Sequence, residues 1–320
     1  MPTPSTSFDP RLNQLHDWLQ QKCQLDNFVI QPITNDASFR RYFRITCKTQ
    51  TLVAMDAPPD KENIEIFANK ALVFQKLHLQ VPKILAHDTE NGFLLLSDLG
   101  DDLYLQIVNQ NNFTSLYNLA LTELDKIQTY VPHDFSVIPH YDEKILLREL
   151  QLFPTWYLAD KNQILSTVEL DKIFKLLIDS ALNQPQVLVH RDYHSRNLLL
   201  LPDKQLGIID FQDAVFGPIT YDLVSLLRDC YITWSEDTIT ALVHQFYHAR
   251  KLKNVAAEEF MRWFDWMGLQ RHLKVLGLFT RLAVRDHKPG YLQHMPRVLN
   301  YVRTISKKYQ EFAKLNEILG

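Results

Sequence analysis

Between Val187 and Phe211 the chain enters and leaves a short apolar hairpin that interrupts an otherwise helical reading. Its strands are predicted at Asn197–Leu201 and Leu206–Asp210, joined by the turn-forming tripeptide Pro202-Asp203-Lys204. Polar residues that packing does not require stand at both ends. His190-Arg191-Asp192-Tyr193-His194-Ser195-Arg196-Asn197 precedes the hairpin, and Ile208-Ile209-Asp210-Phe211-Gln212-Asp213 closes it. Any fold for this chain has to accommodate an acid, an amide and a second acid around one small hairpin.

The surroundings of the hairpin divide in two. The first hundred residues predict a short helix from Pro10 to Cys23, with Leu12, Leu15 and Leu19 on one face. Strands follow at Asn27–Ile33, Phe39–Cys47 and Thr51–Met55. A helix from about Lys61 to His78 repeats Ile64, Phe67, Ala71, Phe74 and Leu77 at helical spacing. Strands near Lys83–Asp88 and Phe93–Ser97 then flank the hairpin turn Asn91-Gly92. After Gly100 helices are predicted near 112–130, 141–158, 163–183, 219–232, 235–250, 255–285 and 291–313. The expectation is an α+β fold of two lobes: a small antiparallel-sheet N-lobe over 1–98, and a larger helical C-lobe over 99–320 with a connector at Asp98–Asp102.

Composition removes several function classes. Average glycine usage would give about 22 glycines in a chain of this length; there are eight, and none falls in a dinucleotide fingerprint or a Walker A loop. Net charge is −3, from 34 Lys+Arg against 37 Asp+Glu, so no general basic field points to nucleic acid. Cys23, Cys47 and Cys230 are odd in number and far apart, which fits neither a disulfide framework nor a zinc knuckle. The N-terminus reads as no signal peptide, and no apolar run approaches the ~20 residues that span a bilayer. The expectation is a cytoplasmic protein without a membrane partner; the sequence says nothing of its oligomeric state.

An Asp followed five residues later by an Asn, with a second Asp closing the next hairpin, is the spacing of a kinase active site. Asp192 is then the catalytic residue, orienting or deprotonating an acceptor hydroxyl, while Asn197 and Asp210 supply hard oxygen ligands for Mg2+ on the phosphates of ATP. His-x-Asp-x-x-x-x-Asn followed by Ile-Asp-Phe resembles the aminoglycoside phosphotransferase and choline kinase group, which implies a protein-kinase-like fold over essentially the whole chain. An ordinary protein kinase is excluded, because Gln212 stands where glycine would follow Asp-Phe, no Ala-Pro-Glu appears downstream, and Tyr221–Arg228 leaves no room for an activation loop. Within the group, four segments resemble the anomeric sugar kinases of bacterial cell-wall recycling, which phosphorylate C1 of N-acetylmuramate and N-acetylglucosamine. They are Asp36–Arg44, Met55-Asp56-Ala57-Pro58-Pro59, Asp210–Ala214 and Gln270–Gly277. The resemblance implies a small-molecule amino-sugar substrate and a sugar 1-phosphate product.

The N-lobe departs from the wider pattern. Val53-Ala54-Met55-Asp56 carries an acid where a kinase has its phosphate-binding lysine, and Ala68 takes the place of that lysine's glutamate partner. Loss of both members of an ion pair is coherent, since a lone buried charge is costly. Ser38–Arg44 occupies the place of the phosphate-covering loop, so Ser38, Arg40, Arg41 and Lys70 are the candidates for the nucleotide phosphates, with Ser97, Asp98 and Leu99 of the connector against the adenine. In the C-lobe, Arg196, Arg271 and His272 are the candidates for substrate. Three other readings stay open. His190-x-Asp192-x-His194 is also a possible metal-hydrolase ligand set; the acceptor could be an aminoglycoside, choline or another amino alcohol; and the missing lysine admits a non-catalytic nucleotide-binding pseudokinase.

Overall fold

The computed structural model describes residues 9–33 and 39–319. Its chain divides into two compact units, Met1–Gln75 with Val81–Gly100, and Lys76–Gln80 with Asp101–Gly320. Among the described residues no helix is long and apolar enough to cross a membrane.

The smaller unit is built on a five-stranded antiparallel sheet of β1 (Val29–Ile33), β2 (Arg41–Thr46), β3 (Thr51–Asp56), β4 (Ile84–Asp88) and β5 (Phe93–Ser97), in the order β1-β2-β3-β5-β4. Helix α1 (Pro10–Gln21) starts where Asp9 accepts the backbone N–H groups of Arg11 and Leu12, each at 3.1 Å, with proline at the first helical position. Its Leu15, Trp18 and Leu19 pack on Phe43, Ile45, Leu52, Ala54, Phe93 and Leu95, the alternate residues of three strands. Gly92 turns β4 into β5 at φ +73°, and a side chain there would place its Cβ 2.0 Å from the Ala57 carbonyl oxygen. Helix α2 (Ile64–Lys76) buries Phe67, Ala71 and Phe74.

The larger unit is mainly helical: α3 (Tyr104–Ile107), α4 (Phe113–Gln128), α5 (Glu143–Leu150), α6 (Ala159–Lys161), α7 (Thr167–Leu182), α8 (Tyr221–Leu227), α9 (Glu236–Arg250), α10 (Ala257–Val284), α11 (Met295–Lys308) and α12 (Ala313–Leu319). The helix predicted over 141–158 ends at Leu150 and continues as a wide π turn over Phe153–Leu158, which contains Pro154. Helix α10 is the spine, packing against α7, α8, α11 and that π turn. Arg228, 2.8 Å from Asp265 with both side chains buried, ties the end of α8 to α10.

The predicted hairpin is present as β7 (Leu198–Leu200) and β8 (Leu206–Ile208). A second antiparallel pair, β6 (Gln186–Val189) with β9 (Val215–Pro218), was not predicted. The chain order β6, loop, β7, β8, loop, β9 therefore delivers both polar stretches from strand ends.

Candidate active site

The loop 190–197 leaves the buried end of β6 and is fastened at each step by groups that are themselves buried. Asp222, in the first turn of α8, accepts the backbone N–H of His190 at 2.6 Å and of Arg191 at 3.0 Å. Burial outweighs these two donors and raises the Asp222 carboxyl to about 7. Asp229 accepts the N–H of Ser195 at 2.9 Å and of Tyr231 at 2.7 Å. The His190 ring lies fully inside, its Nε2 3.0 Å from the Ile209 carbonyl, and burial lowers it to about 4. That ring therefore ties the loop to the end of β8 as a neutral imidazole. Arg191 and Asp210 adopt φ of +78° and +66°, left-handed positions that cost non-glycine residues about 1–3 kcal/mol and persist only where the surroundings dictate them.

The three residues singled out by spacing lie close together. Asn197 donates through Nδ2 to the Asp192 carbonyl at 2.9 Å, and the same amide stands 3.4 Å from Asp210 Oδ2. Gln212 donates to Asp210 Oδ1 at 2.5 Å. An amide and a carboxylate side by side, one of them on a strained backbone, form a donor set that suits magnesium, which takes one or two protein oxygens and completes its shell with phosphates and water. Among the described residues no three His, Cys, Asp or Glu side chains gather as a metal cage. The metal-hydrolase reading loses its ligand His190 to the Ile209 carbonyl.

Asp192 keeps 38% of its side-chain surface exposed, enough to meet an acceptor. Burial of the rest opposes its ionisation, yet the charges of Arg271, His194, Lys274 and Arg191 outweigh this and hold the carboxyl well below the ordinary carboxylate range. Arg271, on α10, donates to the Arg191 carbonyl at 2.8 Å and to the Tyr221 hydroxyl at 3.0 Å, and its Nη2 lies 3.5 Å from Asp192 Oδ1. Behind it, buried Glu149 of α5 takes Arg191, the Tyr141 hydroxyl and, at 2.9 Å, Lys274 of α10. Burial opposes the Glu149 charge as well, but Lys274 and Arg191 bring the carboxyl down to about 2.

Glu149 and Lys274 were not singled out from the sequence. A signal existed: Glu149 falls on the apolar stripe of its helix with Leu146 and Leu150, where a charge demands a partner. Arg271 and Lys274 stand three apart on one face of α10.

The remaining candidates are placed as follows. Arg196 lies half-buried with its guanidinium carbon 5.0 Å from the Tyr231 ring and 5.9 Å from that of Tyr291. Arg271 is buried beneath the catalytic loop. His272 is fully buried, its Nε2 2.9 Å from the Arg228 carbonyl and its ring stacked on Tyr301 at 4.8 Å. In the smaller unit Arg41 is engaged by Asp9 and Asp56, and Arg40 pairs with Glu62 at 2.7 Å. Asp56 is wholly buried and also takes Arg11, with Nε at 2.8 Å, so the acid in the lysine's place closes α1 onto the sheet. Lys70 is buried on α2. Ser97 accepts the Lys83 N–H at 2.9 Å, Asp98 holds Arg44 at 2.8 Å, and Leu99 is half-buried. Ser38 lies outside the described residues.

Residues 29–264 match the model of the phosphotransferase enzyme family. The chain belongs to that family. It is an enzyme, an ATP-dependent kinase, and its fold is the two-lobed α+β arrangement of the protein-kinase-like group. A protein of Pseudomonas aeruginosa named N-acetylmuramate/N-acetylglucosamine kinase is 41% identical over 98% of this chain and 97% of its own length. A protein of the same name from Neisseria meningitidis is 38% identical over 96% of this chain and 94% of its own. Among solved structures, the ADP-bound aminoglycoside phosphotransferase APH(2'')-Ib superposes with a TM-score of 0.60, at 13% identity over 90% of this chain and 97% of that one.

Proposed function

We propose that this phosphotransferase moves the γ-phosphoryl group of ATP onto the anomeric hydroxyl of N-acetylmuramate and N-acetylglucosamine, giving the sugar 1-phosphate. The observation that carries the chemistry is the grouping of an ionised, partly exposed Asp192 with the Asn197–Asp210 pair. The near-full-length relatives of that name support the substrate.

In this reading Asp192 accepts a hydrogen bond from the acceptor hydroxyl and fixes its line of attack. The cations around Asp192 make it a weaker base than an ordinary carboxylate. Phosphoryl transfer tolerates this, because its loose transition state asks for orientation first and for proton removal late. An anomeric hydroxyl, more acidic than a common alcohol, also yields its proton more readily. Asn197 and Asp210 would hold magnesium, which neutralises charge on the phosphates when bound. Arg196 stands on the acceptor side; the nucleotide-side roles of Ser38, Arg40, Arg41, Lys70, Ser97, Asp98 and Leu99 rest on the family resemblance.

Magnesium-dependent ADP release from ATP tests the proposal against N-acetylmuramate, N-acetylglucosamine, glucose, choline and kanamycin, with the phosphorylated carbon assigned by 31P NMR. Turnover is expected with the two N-acetyl sugars and phosphate at C1. Turnover on choline or kanamycin alone would keep the kinase and discard the sugar.

A further inference from the structure

Arg191, the residue immediately before Asp192, is held at its amide, its carbonyl and its guanidinium. Asp222 accepts its N–H at 3.0 Å, and its carbonyl accepts Arg271 Nη1 at 2.8 Å. Its guanidinium donates to Glu149, a carboxylate brought in by α5, and lies over the Tyr141 ring at 5.5 Å. The same Glu149 oxygen accepts Lys274 Nζ at 2.9 Å, while the other takes the Tyr141 hydroxyl. The Tyr221 hydroxyl closes the circuit, accepting Lys274 at 3.3 Å and Arg271 at 3.0 Å. Contacts therefore run in a ring from Glu149 through Arg191, Arg271, Tyr221 and Lys274 back to Glu149. One arm leaves it, where Arg271 Nη2 lies 3.5 Å from Asp192 Oδ1.

We infer that Glu149 is a positioning residue: through Arg191 and Arg271 it holds the Arg191–Asp192 peptide in the orientation from which Asp192 meets the acceptor hydroxyl. The inference rests on the role given to Asp192 above and extends it to the residues behind the loop. Among the described residues the Asp192 carboxylate makes long contacts with side chains, 3.5 Å to Arg271 and 4.0 Å to His194. Its direction is therefore set by the backbone that carries it. That backbone turns at Arg191, whose φ of +78° a non-glycine residue keeps only under constraint. Glu149 supplies the constraint at the side-chain end, and Arg271 at the carbonyl end. The ring also gathers three cations, Arg191, Arg271 and Lys274, and Glu149 is the acid that takes two of them. Without its charge, Arg191 and Lys274 would stand side by side with little access to water, an arrangement that drives side chains apart. Either movement swings the peptide before Asp192, and a displacement of about 1 Å at a reacting group costs ~100-fold in rate.

The test measures kcat and KM of the full chain with ATP, magnesium and N-acetylglucosamine, each rate taken per nucleotide-binding site so that folded molecules alone are counted. Glu149→Gln keeps the shape of the side chain and removes its charge. Tyr221→Phe opens the ring at one hydroxyl and leaves every charge in place. Asp265→Asn serves as the comparison, because Asp265 is buried on the same helix but takes Arg228, Lys308 and Tyr309 instead. The kcat per site should fall ~10- to 100-fold in Glu149→Gln and by a smaller factor in Tyr221→Phe, with KM for ATP close to the parent's. The double variant should lose less than the product of the two single losses, since both open one ring. Asp265→Asn should melt below the parent yet keep its kcat per site within a few-fold. Parental kcat in Glu149→Gln overturns the inference, and so does a loss that Asp265→Asn matches, which general loosening would produce. If Glu149→Gln does not fold, Tyr221→Phe decides, and parental kcat there overturns the inference. A parent that turns over choline or kanamycin instead overturns the proposed sugar and not the ring, whose losses are then read with that acceptor.

Discussion

Three fully buried groups, Asp222, His190 and His272, titrate away from their ordinary ranges, and they pull stability in opposite directions. His190 and His272 are lowered by burial to about 4 and about 3, so below pH 6.5 the unfolded chain takes up protons that the folded chain refuses. Their stabilising contribution is complete above pH 6.5 and is lost as the pH falls toward those values. Asp222, raised by burial to about 7, binds a proton in the folded state between that value and 3.8, so acidification through this window favours folding. Between pH 6.5 and 5 each histidine costs about 2 kcal/mol and Asp222 returns a similar amount, at ~1.4 kcal/mol per pH unit. The predicted net loss is on the order of 2 kcal/mol, read as a lower urea midpoint at pH 5 than at pH 7; an equal or higher midpoint would contradict the burial of the two rings. At this scale the sequence exposed the residues whose spacing is local, namely Asp192, Asn197 and Asp210. It did not expose what their neighbours do to them. The cations that depress Asp192 come from α10 and from its own loop, and Arg271 reaches it from 79 residues away in the chain. The same distance explains His272. Between Arg271 and Leu273 it reads as a polar residue on a polar face, yet α10 is enclosed on most sides and the ring is wholly inside.

Elements with a strong hydrophobic period were legible, and short ones paired across long loops were not. The sheet of the smaller unit and α10 follow from alternation and from helical spacing. β6 and β9 are each four residues long, and β9, Val215-Phe216-Gly217-Pro218, has the composition of a turn. Their pairing is decided by the catalytic hairpin that lies between them, which no local window contains. At this scale two glycines stand where backbones meet, Gly92 against Ala57 and Gly277 against Leu152 and Phe153. On α10, a Cβ at Gly277 would fall 2.2 Å from the Leu152 carbonyl group and 2.7 Å from the Phe153 nitrogen, where the π turn crosses the helix. Alanine gains up to ~1 kcal/mol of helix propensity over glycine. Overpacking against backbone that cannot swing aside costs about 1–3 kcal/mol, so the clash wins. Gly277→Ala should melt several degrees below the parent, while Gly290→Ala, with nothing within 4 Å, should stay within about a degree. Equal melting points would contradict the close crossing.

For the whole molecule, the two-lobed character was readable because strands outnumber helices in the first hundred residues and helices dominate the rest. The charge reversal at Asp56 was also readable, but its meaning was not. The structure makes Asp56 a buried anchor for Arg11 and Arg41, which explains why an acid is kept in a place where a kinase lysine would stand. Arg41 is thereby drawn into the fold of its own unit, which the linear pattern could not anticipate. What the chain retains intact is the set Asp192, Asn197 and Asp210, and the account stands on the first of these. The most direct measurement is therefore kcat and nucleotide affinity of Asp192→Asn beside the parent, with N-acetylglucosamine as acceptor. The account predicts a fall in kcat of about 10²–10⁴-fold with ATP still bound at near-parental affinity. Turnover within a few-fold of the parent would show that the hydroxyl is aimed by some other group and would contradict it.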